Sequence, residues 1–239
     1  MSVVKLGVTE ESNASRTLSE DDISQLGLPT ASYYQGLSAK SWIKRFPGKR
    51  GFDLIVSSML LVLLSPVLLA IALILRLSSK EAVIFVQQRN GYAKQRFGMY
   101  KFRTMTVMEA GHQAVQCKPN DSRVTSIGRL LRKTSLDELP QLINVLKGEM
   151  SLVGPRPHPI SLDNQFSLVI PGYDRRFSAA PGLTGLAQVT GHRGPTQTIE
   201  DMQKRISADL AYVDHQSLAM NIRILLATVP ALLFRKNAC

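Results

Sequence analysis

Leu54–Leu75, LIVSSMLLVLLSPVLLAIALIL, is a run of 22 residues without a charge. As a straight helix it would be about 33 Å long, close to the thickness of a bilayer's hydrocarbon core. Ser65-Pro66 sits at its middle. Proline there removes one backbone hydrogen bond and crowds the preceding turn, so a kink or a break is expected. Basic residues stand on both sides: Lys40, Lys44, Arg45, Lys49 and Arg50 before the run, Arg76 and Lys80 after it. A single span usually concentrates its Lys and Arg on one side. The pattern leaves two readings open, a span with a proline kink and a hairpin that enters one leaflet and returns. The run is long for a buried core helix.

Outside this run the 239 residues read as one domain of ordinary size with a tail. The net charge of +11 calls for an anionic partner. Beside an apolar anchor, anionic lipid or phosphorylated substrates fit better than nucleic acid, and no zinc-finger spacing or aromatic-basic RNA signature is present. Cys117 and Cys239 form neither a disulfide framework nor a metal-ligand spacing. Cys239, the last residue, is not in a prenylation box. The apolar run begins too far in for a signal peptide. With basic residues on both flanks, the domain that follows is placed in the cytoplasm.

Residues 1–38 carry two basic and five acidic side chains without apolar periodicity, and read as a disordered tail. Residues 39–80 comprise a basic juxtamembrane segment and the apolar run, and Trp42, Ile43, Phe46 and Phe52 are expected at lipid headgroups. Residues 81–239 form the remaining domain. Ala82–Thr106 reads as β-structure turning at Arg89-Asn90-Gly91. Its Tyr100-Lys101-Phe102-Arg103 alternates, which places Lys101 and Arg103 on one face, either solvated or aimed at phosphate. Ser126–Lys147 reads as two short helices or a helix after a turn, the last helix carrying Leu139, Leu142, Ile143 and Leu146 at helical spacing and ending at Gly148. Pro181–Gly185 and Gly191–Gly194 read as turns, Ile199–Val213 as a helix, and Leu218–Phe234 as an amphipathic helix on the bilayer, since Arg223 argues against a span.

Two places are candidates for chemistry. Ser135-x-x-Glu138 fits a capping box, and acids suit a helix N-terminus. An Asp at a helix start behind Arg129, Arg132 and Lys133 also suits Mg²⁺ and phosphate, and a carboxylate can attack phosphorus. Both roles are compatible, with Glu138 capping and Asp137 reacting. The second place is Arg156, fixed between Pro155 and Pro157, which either offers a planar fork to phosphate or sits in a solvated turn. His112, His158, His192 and His215 have no metal-ligand spacing and are expected in solvent or loop packing. No P-loop, dinucleotide fingerprint or nucleophile elbow is present.

Six motifs occur in order: KRGFD at 49–53, the run with Ser65-Pro66, YKFRTM at 100–105, LRKTSLDELPQ at 131–141, MSLVGPRP at 150–157 and PGLTGLAQV at 181–189. Together they resemble the bacterial sugar transferases, the monotopic phosphoglycosyl transferases that start glycan assembly on a polyprenyl carrier, over roughly residues 48–236. Within the family, the exopolysaccharide-initiating undecaprenyl-phosphate galactose-phosphotransferases are most similar. The resemblance implies an α/β domain on the cytoplasmic leaflet of the inner membrane, anchored by a re-entrant helix broken at Ser65-Pro66. It implies transfer of a sugar-1-phosphate from a UDP-sugar to undecaprenyl phosphate. It implies Asp137 as nucleophile and metal ligand, Glu138 as its partner, a Mg²⁺ requirement, and phosphate-binding roles for Arg132, Arg156 and Lys101. Where the family commonly has an Asp in the C-terminal segment, this chain has Asn221, with Asp209 earlier. A non-catalytic membrane module and a phosphohydrolase remain alternatives. The sugar and any homo-oligomeric state are left open.

Overall fold

A five-residue helix, α1 (Ser41–Arg45), leads into a 32-residue helix, α2 (Pro47–Ser78), that contains the whole apolar run. The computed structural model describes residues 37, 38, 40–106, 117, 121–194, 196 and 198–233. The tail through residue 36, His112, Cys239 and the basic pair 235–236 lie outside the described residues. Pro47 opens α2 at a position where a missing N–H costs nothing. Much of the apolar run has no protein cover: Ile55 is 71 % exposed, Val62 76 % and Leu69 70 %. Such a surface belongs against lipid.

The helix is continuous through Ser65-Pro66, which corrects the expectation of a broken helix. The proline deprives the Val62 carbonyl of its usual donor four residues on. The Ser65 hydroxyl donates to that carbonyl at 2.8 Å, so the helix continues without an orphaned acceptor in the apolar run.

The segment expected at the headgroups is instead bound into the domain. Trp42 is 1 % exposed and its Nε1 donates to Gly148 O at 3.2 Å. Lys49 Nζ donates to Val153 O at 2.6 Å and to the Tyr212 hydroxyl at 2.9 Å. Arg50 donates to the carbonyls of Val145 and Leu146 at 2.5 and 2.7 Å. Cations suit such helix-end carbonyls. The other end of α2 returns to the same body, where Ile71 and Leu75 pack with Phe102 and Leu131.

The strands make two separate sheets in a mixed helix-and-strand architecture. β1 (Ile84–Asn90) and β2 (Arg96–Phe102) form an antiparallel hairpin with Arg89 opposite Phe97, joined across the expected turn at Gly91. The outer edge of β2 is covered by Asn144, whose Oδ1 accepts from Tyr100 N at 3.0 Å while Nδ2 donates to Gly98 O at 2.7 Å. β3 (Ser151–Val153) pairs in parallel with β4 (Gly182–Thr184). The stretch read as a turn at Pro181–Gly185 is therefore mostly strand. Its glycines serve close approach: a Cβ on Gly182 would lie 2.1 Å from Gly154 N, and one on Gly185 2.2 Å from Gly154 O.

The helical pairs form as the apolar periodicity predicts. α3 (Ser126–Thr134) is capped by Thr125, and α4 (Gln141–Lys147) ends at Gly148 with φ +77°. Leu142 and Val145 of α4 are fully buried, whereas Ile143 is 44 % exposed, so the apolar stripe is rotated from the one expected. α5 (Ile160–Val169) lies between β3 and β4 in sequence, and the short α6 (Leu186–Val189) follows β4. α7 (Ile199–His215) begins in a Thr198–Asp201 capping box. α8 (Leu218–Leu233) buries Asn221 and Ile224 and leaves Leu226 and Val229 exposed, as expected of an amphipathic helix. Asn221 Oδ1 lies 2.8 Å from the Tyr212 hydroxyl, a bond that joins α8 to α7.

Candidate active site

Ser135 adopts a left-handed conformation at φ 59° and makes no side-chain cap, so the expected capping box is absent. The residues after it form a 3₁₀ turn, Leu136–Glu138, that separates α3 from α4. A turn in this place aims two consecutive carboxylates into the protein. The Glu138 side chain does not reach back to the backbone. Its Oε1 accepts from Lys101 Nζ at 3.1 Å and from Arg156 Nη2, and its Oε2 accepts from Arg156 Nη1 at 3.0 Å.

Each partner arrives for a local reason. Lys101 comes from β2, which Asn144 fastens to α4. On the strand it faces the dyad, so the solvated-face reading is corrected. Arg156 comes from the Pro155–Pro157 loop after β3, whose Gly154 N and Pro155 O are bonded to β4 at 2.9 Å. The Arg176 guanidinium donates to the Arg156 carbonyl, and it is itself held by Asp209 at 2.9 Å and Asp163 at 3.3 Å. Arg132 lies on the last turn of α3, with Nε on Thr104 Oγ1 at 2.9 Å and Nη1 2.8 Å from Cys117 Sγ. α3 can approach this closely because residue 128 is glycine, where a Cβ would lie 2.1 Å from Thr104 O.

The electrostatics separate the two carboxyls. Burial, and then the charge of Glu138, push Asp137 up to about 6, against the pull of Lys101, Arg132 and Arg156. Burial would raise Glu138 as well, but Arg156 and Lys101 overcome it and hold Glu138 well below the usual carboxylate range. Asp137 is 7 % exposed and accepts no hydrogen bond among the described residues. The result is a desolvated, basic carboxylate beside a permanently ionised one. That is the form a carboxylate nucleophile requires.

Among the described residues no three His, Cys, Asp or Glu side chains gather into a closed metal cage. Both oxygens of Glu138 are taken by Lys101 and Arg156, so the carboxylate offered to a metal is that of Asp137. One such carboxylate fits Mg²⁺, which takes one or two carboxylates and completes its shell with water and substrate phosphate.

The fold thus gathers Asp137, Glu138, Lys101 and Arg156, with Arg132 acting electrostatically on Asp137. Ser65 and Pro66 stay in α2, away from these contacts. Three further residues were not singled out by their motifs. Arg193, read only as part of a turn, donates to Ser135 Oγ at 3.1 Å and acts on Glu138. Arg89, read as a turn residue, is buried on β1 and coupled to Arg156. His158, expected in solvent or loop packing, is buried with its Nδ1 2.9 Å from the Tyr173 hydroxyl. Burial and then Arg176 hold its pKa well below the ordinary histidine range. Only the crowding of Arg and Asp across residues 156–176 hinted at such a network.

Known proteins share this arrangement of sequence. The chain is 50 % identical over 181 residues to a Klebsiella pneumoniae protein named UDP-glucose:undecaprenyl-phosphate glucose-1-phosphate transferase, covering 76 % of this chain and 39 % of that protein. It is 48 % identical over 190 residues to a Caulobacter vibrioides protein of the same name, covering 80 % of this chain and 71 % of that one. It is 43 % identical over 191 residues to the exopolysaccharide production protein PSS of Rhizobium leguminosarum bv. phaseoli, covering 78 % of this chain and 96 % of that one. The chain thus spans about two fifths of the Klebsiella relative's length but nearly all of the Rhizobium relative's. The bacterial sugar transferase model matches residues 43–235, which include every site residue described above. On that match, and on the 48 % identity to the Caulobacter relative, the chain belongs to the bacterial sugar transferase family.

Proposed function

We propose that the protein transfers a sugar-1-phosphate from a UDP-sugar to undecaprenyl phosphate, giving undecaprenyl-diphosphate-sugar and UMP, as the first step of exopolysaccharide assembly. The observation that carries this reading is the buried Asp137 carboxyl, without a hydrogen bond among the described residues and pushed up to about 6, beside a Glu138 locked by Arg156 and Lys101. An Asp137 oxygen attacks the β-phosphorus, the bond from that phosphorus to the UMP oxygen breaks, and UMP leaves. An oxygen of undecaprenyl phosphate then attacks the same phosphorus, and the bond to Asp137 breaks. No net proton is needed in either step. Arg156 and Lys101 neutralise charge that accumulates on the phosphoryl oxygens. Mg²⁺, held by Asp137 and the substrate's own oxygens, would supply Lewis-acid neutralisation of the diphosphate.

The names of the Klebsiella and Caulobacter relatives favour glucose over galactose as the sugar. The site of action is the cytoplasmic face of the inner membrane. On this reading α2 enters and leaves the same leaflet while remaining helical through Ser65-Pro66. Support for this comes from its two ends, which are both fastened to one body, Lys49 and Arg50 at the start and Ile71 and Leu75 at the finish. A helix with both flanks in one domain does not deliver them to opposite sides of a bilayer.

The test is purified protein with undecaprenyl phosphate, Mg²⁺ and a panel of UDP-sugars. Release of UMP together with a lipid-linked sugar is expected. UMP or sugar phosphate released into water without a lipid product would point to a hydrolase. No turnover of any UDP-sugar would favour a non-catalytic module.

A further inference from the structure

Arg89 is 7 % exposed, yet two of its donors are unused. Its Nη2 donates to Gln87 Oε1, while Nε and Nη1 are closed off from solvent and have no hydrogen-bond partner among the described residues. A buried guanidinium in that state costs folding free energy, because no protein acceptor among the described residues repays the lost hydration of these two nitrogens. The two carboxylates nearest in electrostatic effect are Asp163 and Glu138. Both are taken. Asp163 accepts from Asn90, Tyr173 and Arg176. Glu138 accepts from Lys101 and Arg156.

The charge around the dyad is also out of balance. Lys101, Arg89, Arg132, Arg156 and Arg193 act on Asp137 and Glu138 or on their partners, five cations against two carboxylates. Arg176 and Arg205 beside Asp163 and Asp209 leave that excess unchanged. A site with surplus fixed positive charge and unused buried donors is built for a multiply charged anion.

Building on the transferase reading, we propose that Arg89 is a phosphate-binding residue of this site, giving its free donors to an oxygen of the phosphoryl group that Asp137 attacks. The charges of Arg156 and Glu138 both act on Arg89, and on this proposal an incoming phosphate gives Arg156 a bidentate partner in place of Glu138 while another of its oxygens takes up the Arg89 donors. The ligand chemistry is a phosphate ester oxygen, from either the nucleotide diphosphate or the lipid monophosphate.

The experiment uses the full chain in nanodiscs, with Arg89→Met removing the charge at similar length. UDP and a short-chain polyprenyl phosphate are titrated separately, and the melting temperature of the unliganded protein is recorded. The UDP Kd is expected to rise more than threefold while Tm holds or rises, since an unpaired buried charge has been removed. A rise confined to the polyprenyl phosphate Kd would still support phosphate binding and assign Arg89 to the acceptor. Both Kd values within threefold of wild type overturn the proposal, whatever Tm does. A lower Tm with weakened binding that Arg89→Lys does not restore at all also overturns it, because packing rather than charge then explains the loss. If Arg89→Met does not fold, Arg89→Gln is read by the same criteria. Wild-type protein that binds UDP through Arg89 but releases no UMP from any UDP-sugar would sink the transferase reading and leave this one standing.

Discussion

Arg156 grips Glu138 with both ends of its guanidinium, Nη1 on Oε2 at 3.0 Å and Nη2 on Oε1. The pair is a quarter exposed on the arginine side and nearly buried on the glutamate side. A planar fork matched to a carboxylate is equally matched to a phosphate. Glu138 occupies the fork, so in the proposed reaction a substrate phosphate would bind Arg156 by exchanging one bidentate partner for another.

Arg156→Lys tests that geometry. An ammonium keeps the charge but presents a single point and loses the second bond. Turnover should fall on the order of 10²-fold, as for other lost transition-state donors. Full turnover with an unchanged KM would reduce Arg156 to a loop residue.

Asp137→Asn should abolish transfer and stabilise the fold. The folded-state pKa of Asp137 lies above its unfolded value, so its protonated form favours the native state and its ionised form opposes it. That stabilisation is present below about pH 4 and is lost as pH rises through about 6. At pH 7.5 the neutral Asn therefore removes a penalty of roughly 1–3 kcal/mol. Thermal melts of wild type and variant at pH 7.5 and pH 4.5 measure this, and the gap should narrow at the lower pH. An unchanged rate in the variant would remove Asp137 from the nucleophile role.

The pH–rate profile should show an acid limb near 6, where protonation disarms Asp137. Glu138→Gln removes the neighbouring negative charge that holds Asp137 up, so the limb should move to lower pH in any residual activity. The same change leaves Arg156 and Lys101 without their carboxylate and should cost roughly 2 kcal/mol. A limb that stays in place would show that another group titrates.

Gly182→Ala should unfold or severely destabilise the domain, because its Cβ would lie 2.1 Å from Gly154 N across the parallel pair. Gly48→Ala, where a Cβ meets nothing within 4 Å, is the matched control and should be tolerated. Melting curves of the two variants make the comparison.

Replacing Ser65-Pro66 by Leu-Leu removes both the missing N–H and the hydroxyl that bonds Val62 O. The straightened helix should drive its flanks apart, against Lys49 and Arg50 on one side and Leu75 on the other, and activity should drop with it. Cysteine labelling of the N-terminal tail from the periplasm of intact cells reads the topology. Labelling of the wild-type tail would refute the return of α2 to its own leaflet.

How far the sequence reached depended on the range of the forces involved. The apolar run, the α3 and α4 helices, the Gly148 stop and the α7 and α8 helices follow from periodicity and composition, which act over a few residues. The ordered motifs identified the family, and with it the expectation that Asp137 and Glu138 act as a pair. Local patterns misread Trp42 and the Ser135–Glu138 box and did not place Lys49, because in each case a distant partner outbid the nearby one. Trp42 is claimed by Gly148, Lys49 by Val153 and Tyr212, and Glu138 by Lys101 and Arg156. Which cations surround Asp137, how far its pKa rises, and that Arg89 is buried with donors to spare were decided only by tertiary packing. Burial and charge density are properties of the assembled interior, where a lost hydration shell makes each neighbouring charge count for more than it does along an open chain.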